Sequence, residues 1–299
     1  MSNRLANLIL LHVVVFIFGF TGILGKLIET PSDKLVLWRM LIAAVSIGIF
    51  GYATGAIKES LRVNGLKYSL VGLLIAAHWI TFFEAIKQSN VSVTLACLSA
   101  ASLFTALIEP LVFKRRIHLG ELLLGVLVII GLLLIFSFET GYKVGIALAL
   151  LSALLASTFT VINGTFIRND NPIRISLVEM MAGTGAIALW LLLSGKMDSS
   201  LLQMPPMDWL WIGILGTVCT AFAFVASVKV MEVLTPFTVS LSINLEPIYG
   251  IVLAFFIFGE SERMTGGFYA GAAILIVALF ANAVMKWYGM RKPKIKSIG

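Results

Sequence analysis

Residues 241–260 read LSINLEPIYGIVLAFFIFGE. The run is long and apolar enough to cross about 30 Å of hydrocarbon as a helix rising about 1.5 Å per residue. It nevertheless carries a carboxylate, Glu246, and directly after it Pro247. A charge at such depth costs at least about 2.5–3.5 kcal/mol on insertion scales, so it belongs against a cavity or a partner. Proline has no backbone N–H, which leaves the Ile243 carbonyl without its helical donor. That is tolerable where the carbonyl faces protein or water.

The rest of the chain has the same character. Of 299 residues, 59% are hydrophobic and 12% charged, with a mean hydropathy of +1.01, far from the balance of a water-soluble domain. Polar, Gly and Pro breaks divide it into ten apolar runs: 5–28, 33–54, 66–86, 91–113, 119–138, 144–166, 172–194, 207–230, 236–258 and 264–288. These predict an all-α membrane protein of ten transmembrane helices. The first run is too long for a signal-peptide core and lacks a small-x-small cleavage site, so it reads as the first span.

An even number of spans puts both termini on one side. With that side cytoplasmic, the inner segments hold fifteen Lys and Arg, the outer ones six, and Arg39 falls within the second span. The positive-inside rule therefore predicts N-in and C-in, and the membrane is expected to be the cell's inner (plasma) membrane. The basic residues lie between apolar runs and are not interleaved with exposed aromatics, which argues against nucleic acid and for topology signals. Cys97 and Cys219 lie inside apolar runs and form no metal-ligand spacing, so no metal or cofactor is expected. No GxxxxGK[ST], HExxH or GxSxG is present, which removes the sequence case for an ATP-driven pump or a hydrolytic enzyme.

A shift of 146 residues places NVSVTLACL (90–98) on PFTVSLSIN (236–244), and Gly120 and Gly125 on Gly266 and Gly271. The halves are then 5–138 and 144–288, followed by a basic cytoplasmic tail, 289–299, beside anionic lipid headgroups. A unit with an odd number of spans inserts its second copy upside down, so the halves read as inverted repeats. Equivalent turns agree: FKRRIHLGE (113–121) is tribasic, whereas FGESERMTG (258–266) carries two glutamates and one arginine.

The two five-span halves, the turn FGESERMTGGFYAGAAIL (258–275) and the stretch NLEPIYGIVLAFFIFGE (244–260) resemble the EamA-like group of the drug/metabolite transporter superfamily. The resemblance implies a secondary transporter of amino acids, other metabolites or drugs, and implies export. The first half departs from the pattern, with Ala101 where the second has Pro247 and KRR where the second has GES.

Several residues at or near midplane depth are candidates for the substrate path. Ser242, Glu246 and Tyr249 recur at helical spacing with Asn244 beside them. The alternative for Glu246 is a protonated carboxyl acting as packing glue between helices. His78, with Trp79 adjacent and Phe82 one turn on, could bind a carboxylate or relay a proton. Asn163 borders a face of Ser157, Thr160 and Gly164. Arg39 and Glu179 fall at adjacent positions when the second and seventh spans are superposed, which suits gating or pairing, although an Arg two turns from a span end can also snorkel. Glu109 belongs to a second EP pair. It is out of register with Glu246, since a shift of 137 would carry Lys114, Arg115 and Arg116 into hydrocarbon. It reads as an interface carboxylate beside the basic turn.

The expectation is a carrier of a small organic solute, an amino acid or related metabolite, working by alternating access around a midplane cavity. Protons are the candidate coupling ion, with Glu246 the first carrier and His78 the second. The competing expectations are uncoupled facilitative exchange, a membrane enzyme and a sensor-like scaffold.

Overall fold

A computed structural model describes residues 3–57, 64–114, 119–167, 170–234, 239, 242–243 and 245–291. Among these there is no β-strand. The helices are α1 (Asn3–Leu27), α2 (Ser32–Ala53), α3 (Gly65–Gln88), α4 (Val91–Leu98), α5 (Ala101–Val112), α6 (Leu119–Phe138), α7 (Lys143–Phe166), α8 (Pro172–Leu193), α9 (Pro206–Gly216), α10 (Ala223–Lys229), α11 (Glu246–Phe258) and α12 (Gly266–Arg291). Seven helical stretches are long and apolar enough to cross a membrane: Arg4–Leu27, Ser32–Ala53, Gly65–Gln88, Val91–Val112, Thr140–Phe166, Pro172–Leu193 and Pro206–Glu232. Leu123–Phe138 and Gly266–Ala278 are shorter apolar helices. Their outward faces are greasy: Ile49, Leu66, Leu111, Leu193 and Phe256 are each more than 60% exposed, an arrangement that suits lipid and not water.

Local chemistry starts and breaks these helices. Asn90 caps α4, its side-chain oxygen accepting from the Val93 N–H at 2.8 Å, and Asn171 caps α8 by accepting from Ile173 at 2.9 Å. Pro172 follows in the first turn, where the missing N–H would have had no helical partner. Pro247 plays the same part in α11, which begins at Glu246. The EP pair therefore opens a helix, where the sequence placed it in the interior of one.

The fourth span is also interrupted, between α4 and α5, although it has no proline there. Instead the Ser99 hydroxyl bonds back to the Ala96 carbonyl and the Ser102 hydroxyl to the Ser99 carbonyl at 3.0 Å. Such back-bonding competes with the helical ladder. Adding 146 to Ser99 and Ala100 gives Leu245 and Glu246. The two halves break at equivalent places by different chemistry, serines in one and proline in the other.

Packing follows the same register. The helix α6 lies on α12 and α2 on α8, each pairing one element with its counterpart. The contact of α3 with α7 is matched by that of α1 with α9 and α10. The contact of α3 with α8 is matched by that of α2 with α9, and that of α5 with α7 by that of α1 with α11. Close approach relies on glycine. A Cβ on Gly72 of α3 would stand 2.3 Å from the Glu179 carbonyl oxygen of α8, and one on Gly250 of α11 would meet Leu95 Cδ1 at 2.1 Å.

Alternate connections meet at one end of the molecule and are cross-tied. Glu262, in the turn after α11, accepts from Lys26 of α1 at 2.7 Å and from the free N–H groups of Val91 and Ser92 at 3.2 and 2.8 Å, at the start of α4. Asp208 in the first turn of α9 accepts from the Thr30 N–H at 2.8 Å and the Thr30 hydroxyl at 2.6 Å. Lys87 donates to the Ile28 carbonyl at 2.8 Å, and Glu139 accepts from the Thr265 hydroxyl at 2.7 Å. Lys34 pairs with Asp198 and Lys196 with Asp33. This network joins the connections α1–α2, α3–α4, α6–α7, α8–α9 and α11–α12 into one closed end.

Candidate functional site

Beneath that end lies a cavity of about 120 Å³. Its walls come from both halves: Phe18 and Thr21 of α1, Arg39 of α2, His78, Trp79 and Phe82 of α3, and Leu98, Ser99 and Ala101 at the break of the fourth span. Ala156, Phe159, Thr160 and Asn163 of α7 add to these, as do Phe224, Ser227 and Val228 of α10 with Met231 beyond it. Val239, Ile243, Glu246 and Pro247 complete the lining. Both helix interruptions open onto it, so irregular backbone at membrane depth borders a cavity, as satisfaction of its polar groups requires.

Aromatic rings build much of the wall. The His78 ring lies tilted at 5.4 Å from Phe159 and 6.2 Å from Phe82, and Phe224 meets Trp79 at 6.2 Å and Phe159 at 6.4 Å. The His78 ring is held in place. Its Nδ1 lies 3.0 Å from the Ser152 carbonyl and 2.8 Å from the Ser152 hydroxyl, which also donates to the His78 carbonyl at 3.2 Å.

Among the described lining residues, Arg39 is the single cation and Glu246 the single carboxylate. Arg39 is 2% exposed and does not snorkel. Its Nε donates to the Thr220 hydroxyl at 2.7 Å, and its guanidinium lies 3.9 Å from the Trp79 ring centroid and 5.4 Å from that of Phe83. A desolvated cation over indole gains about 2 kcal/mol or more. Thr220 sits in a π-helical stretch, Thr217–Phe222, and its hydroxyl also donates to the Leu215 carbonyl at 2.7 Å, five residues back. The wide turn aims Thr220 at Arg39, a use of the π-bulge seen at functional sites. The Arg39 Nη1 remains without a hydrogen-bond partner. Glu246 is 8% exposed, and among the described residues neither a hydrogen bond nor an ion pair within 4.0 Å engages its carboxyl. The cavity thus presents one underused cation and one underused carboxylate.

Of the sequence candidates, Glu246, His78, Trp79, Phe82 and Asn163 line the cavity, and so does Arg39, which the sequence placed among gating residues. Tyr249 packs edge-on against Phe16 at 5.8 Å and is not among the lining residues. Ser242 is half-buried outside it, and Asn244 lies outside the described residues. Glu109 is in α5 beside the buried Pro110, away from the cavity. Glu179 is fully buried behind the wall, facing Asn163. Ser99, Phe159 and Phe224 escaped sequence reading because an apolar or small residue in an apolar run carries no signal of its own.

The family model described as "EamA-like transporter family" matches residues 5–137 and again 143–283. The chain is 24% identical over 290 residues to "Uncharacterized transporter YwfM" of Bacillus subtilis, covering 93% of this chain and 94% of that protein. It is 25% identical over 201 residues to an "Uncharacterized transporter" of Archaeoglobus fulgidus, covering 67% and 70% respectively. A solved structure described as "Crystal structure of protein" superposes with a TM-score of 0.67 at 15% identity, over 95% of this chain and 99% of that one. That last likeness concerns the fold alone.

Proposed function

The chain belongs to the EamA-like transporter family, and from that premise we propose that it carries a small zwitterionic solute of amino-acid type across the inner membrane by alternating access. The observation that carries this reading is the pair Arg39 and Glu246, opposite charges on one small cavity with no bond between them. A carboxylate of the solute takes the free Arg39 N–H, a charge-assisted bond of the stronger class. An ammonium takes Glu246. The apolar body of the solute lies among His78, Phe82, Phe159 and Phe224. A volume of about 120 Å³, below the roughly 300–1,000 Å³ of drug-sized pockets, favours a small occupant.

The architecture proposed with this function has ten spans: the seven long ones, the two shorter apolar helices, and α11 joined to the residues before it. They form two inverted five-helix repeats, 5–138 and 144–288, with both termini cytoplasmic. The excess of basic residues in alternate segments and the matched helix breaks support this arrangement. In that orientation the cross-tied end is external, and release there requires the Glu262 and Asp208 contacts to part. Outward transport is proposed from the family resemblance alone. The test is uptake and efflux in proteoliposomes across a panel of amino acids, amines and carboxylic acids. Flux confined to zwitterions supports the proposal, and flux of none of them rejects it.

A further inference from the structure

Behind the cavity wall three buried polar side chains share one defect. Glu179 of α8 is 0% exposed, and neither carboxyl oxygen has a hydrogen-bond partner; the Ser176 hydroxyl one turn earlier, also 0% exposed, has none either. The Asn163 side-chain oxygen of α7 is orphaned too, at 1% exposure. The Asn163 amide faces the Glu179 carboxyl and at the same time lines the cavity, without closing a hydrogen bond to it. We propose that Glu179 and Asn163 form a proton-binding site, separate from the solute-binding charges Arg39 and Glu246 and reached from the cavity through Asn163.

The reasoning is one of compensation. An ionised carboxylate buried without donors is not sustained at this depth. Among the described residues, no cation stands against it on the elements packed around it. On α2, Arg39 is turned to Thr220 and Trp79 and interacts with Glu246. On α3, Tyr68 bonds Asp170 and His78 bonds Ser152. On α10, Lys229 is exposed. On α8 itself, Arg174 pairs with Asp170. The backbone of α3 closes the site at Gly72, and Met40 of α2 closes it one turn on at Gly183. A sodium ion would find only a carboxylate, an amide oxygen and a hydroxyl, too few oxygens for its shell. A proton from cavity water forms one O–H bond on the carboxyl, leaves hydroxide to the solvent, and gives the group a donor that Asn163 can accept. This occupancy stands without the carrier reading. Only its use, coupling proton movement to solute, rests on that reading, with Glu246 then kept for the solute.

The experiment is infrared difference spectroscopy of the full chain in lipid nanodiscs, following the carboxylic-acid carbonyl band at neutral pH with no solute added. The wild type is expected to show a protonated-carboxyl band of which one carboxyl's share is lost in Glu179→Gln. In Asn163→Ala that share is shifted in frequency, and it moves on transfer to heavy water because the cavity reaches it. Replacing potassium by sodium leaves it unchanged. An unaltered band in Glu179→Gln overturns the proposal, and so does a band that sodium discharges. Glu246→Gln serves as the folding control, and retention of the Glu179 share there separates the two carboxyls. A protein that moves no solute yet keeps this band contradicts the carrier reading and leaves the proton site standing.

Discussion

Lys26 of α1 and Glu262 after α11 form an ion pair of 2.7 Å that joins the first and second halves of the chain at the cross-tied end. The Glu262 side chain is fully buried, and it accepts two further hydrogen bonds from the start of α4. Three donors on one carboxylate make this contact a strong tie at that end, since hydrogen bonds to a charged group contribute about 1.5–3 kcal/mol each.

Glu262→Gln keeps the shape of the side chain and removes the charge. It should open the cross-tied end more often. A cysteine placed at Ser92, 1% exposed beneath Glu262, should then react several-fold faster with an impermeant maleimide added from that side than it does with Glu262 intact. The native Cys97 and Cys219 are buried and give a low background. Equal rates in both proteins would show that the pair does not hold the end closed.

Gly72→Ala should destabilise the protein by about 1–3 kcal/mol, the usual cost of overpacking, because its Cβ would collide with the Glu179 backbone. Gly213→Ala, where nothing lies within 4 Å, should be neutral or slightly stabilising through helix propensity. Thermal unfolding in detergent compares the two, and similar melting temperatures would mean that α3 and α8 do not approach as described.

Asp198 lies in the exposed connection before α9. Hydrogen bonds from Ser200 and then from Lys34 hold its carboxyl below the ordinary 3.8. A carboxyl depressed in the folded state stabilises the fold above its unfolded value, and the contribution is lost as pH falls through the folded value. Asp198→Asn should therefore melt slightly below wild type at pH 7, and the gap should close as the pH drops below about 3.8. A gap that persists in acid would assign the effect to packing.

Much of this was legible in the sequence because membranes impose a coarse code: twenty apolar residues make a span, and a charge among them marks a cavity or a partner. Glu246, His78 and Trp79 were readable on those terms. Arg39 was left between two readings, gating or pairing on one side and snorkelling on the other, and the π-helical turn at Thr220 and the ring of Trp79 turn it inward. The break in the fourth span was hidden for a related reason. Ser99 and Ser102 act through backbone carbonyls, and serine in an apolar run usually marks close packing. Tyr249 shares a helical face with Glu246, yet the close approach of α1 at Gly19 and Phe16 takes up that side.

Arg39→Gln and Glu246→Gln should divide the recognition of a zwitterion between them. For a transported amino acid, each loss should weaken binding about 10- to 100-fold, corresponding to one charge-assisted bond of about 1.5–3 kcal/mol. Arg39→Lys should restore little, because a lysine cannot both stack on Trp79 and present a planar fork.

The most direct measurement is solute binding to the purified full chain, comparing an amino acid with its N-acetyl and carboxamide forms in wild type, Arg39→Gln and Glu246→Gln. The account predicts that wild type rejects both modified forms, that Arg39→Gln no longer distinguishes the carboxamide from the parent, and that Glu246→Gln no longer distinguishes the N-acetyl form. Unchanged discrimination in both variants would contradict the assignment of the cavity charges to the two ends of the solute.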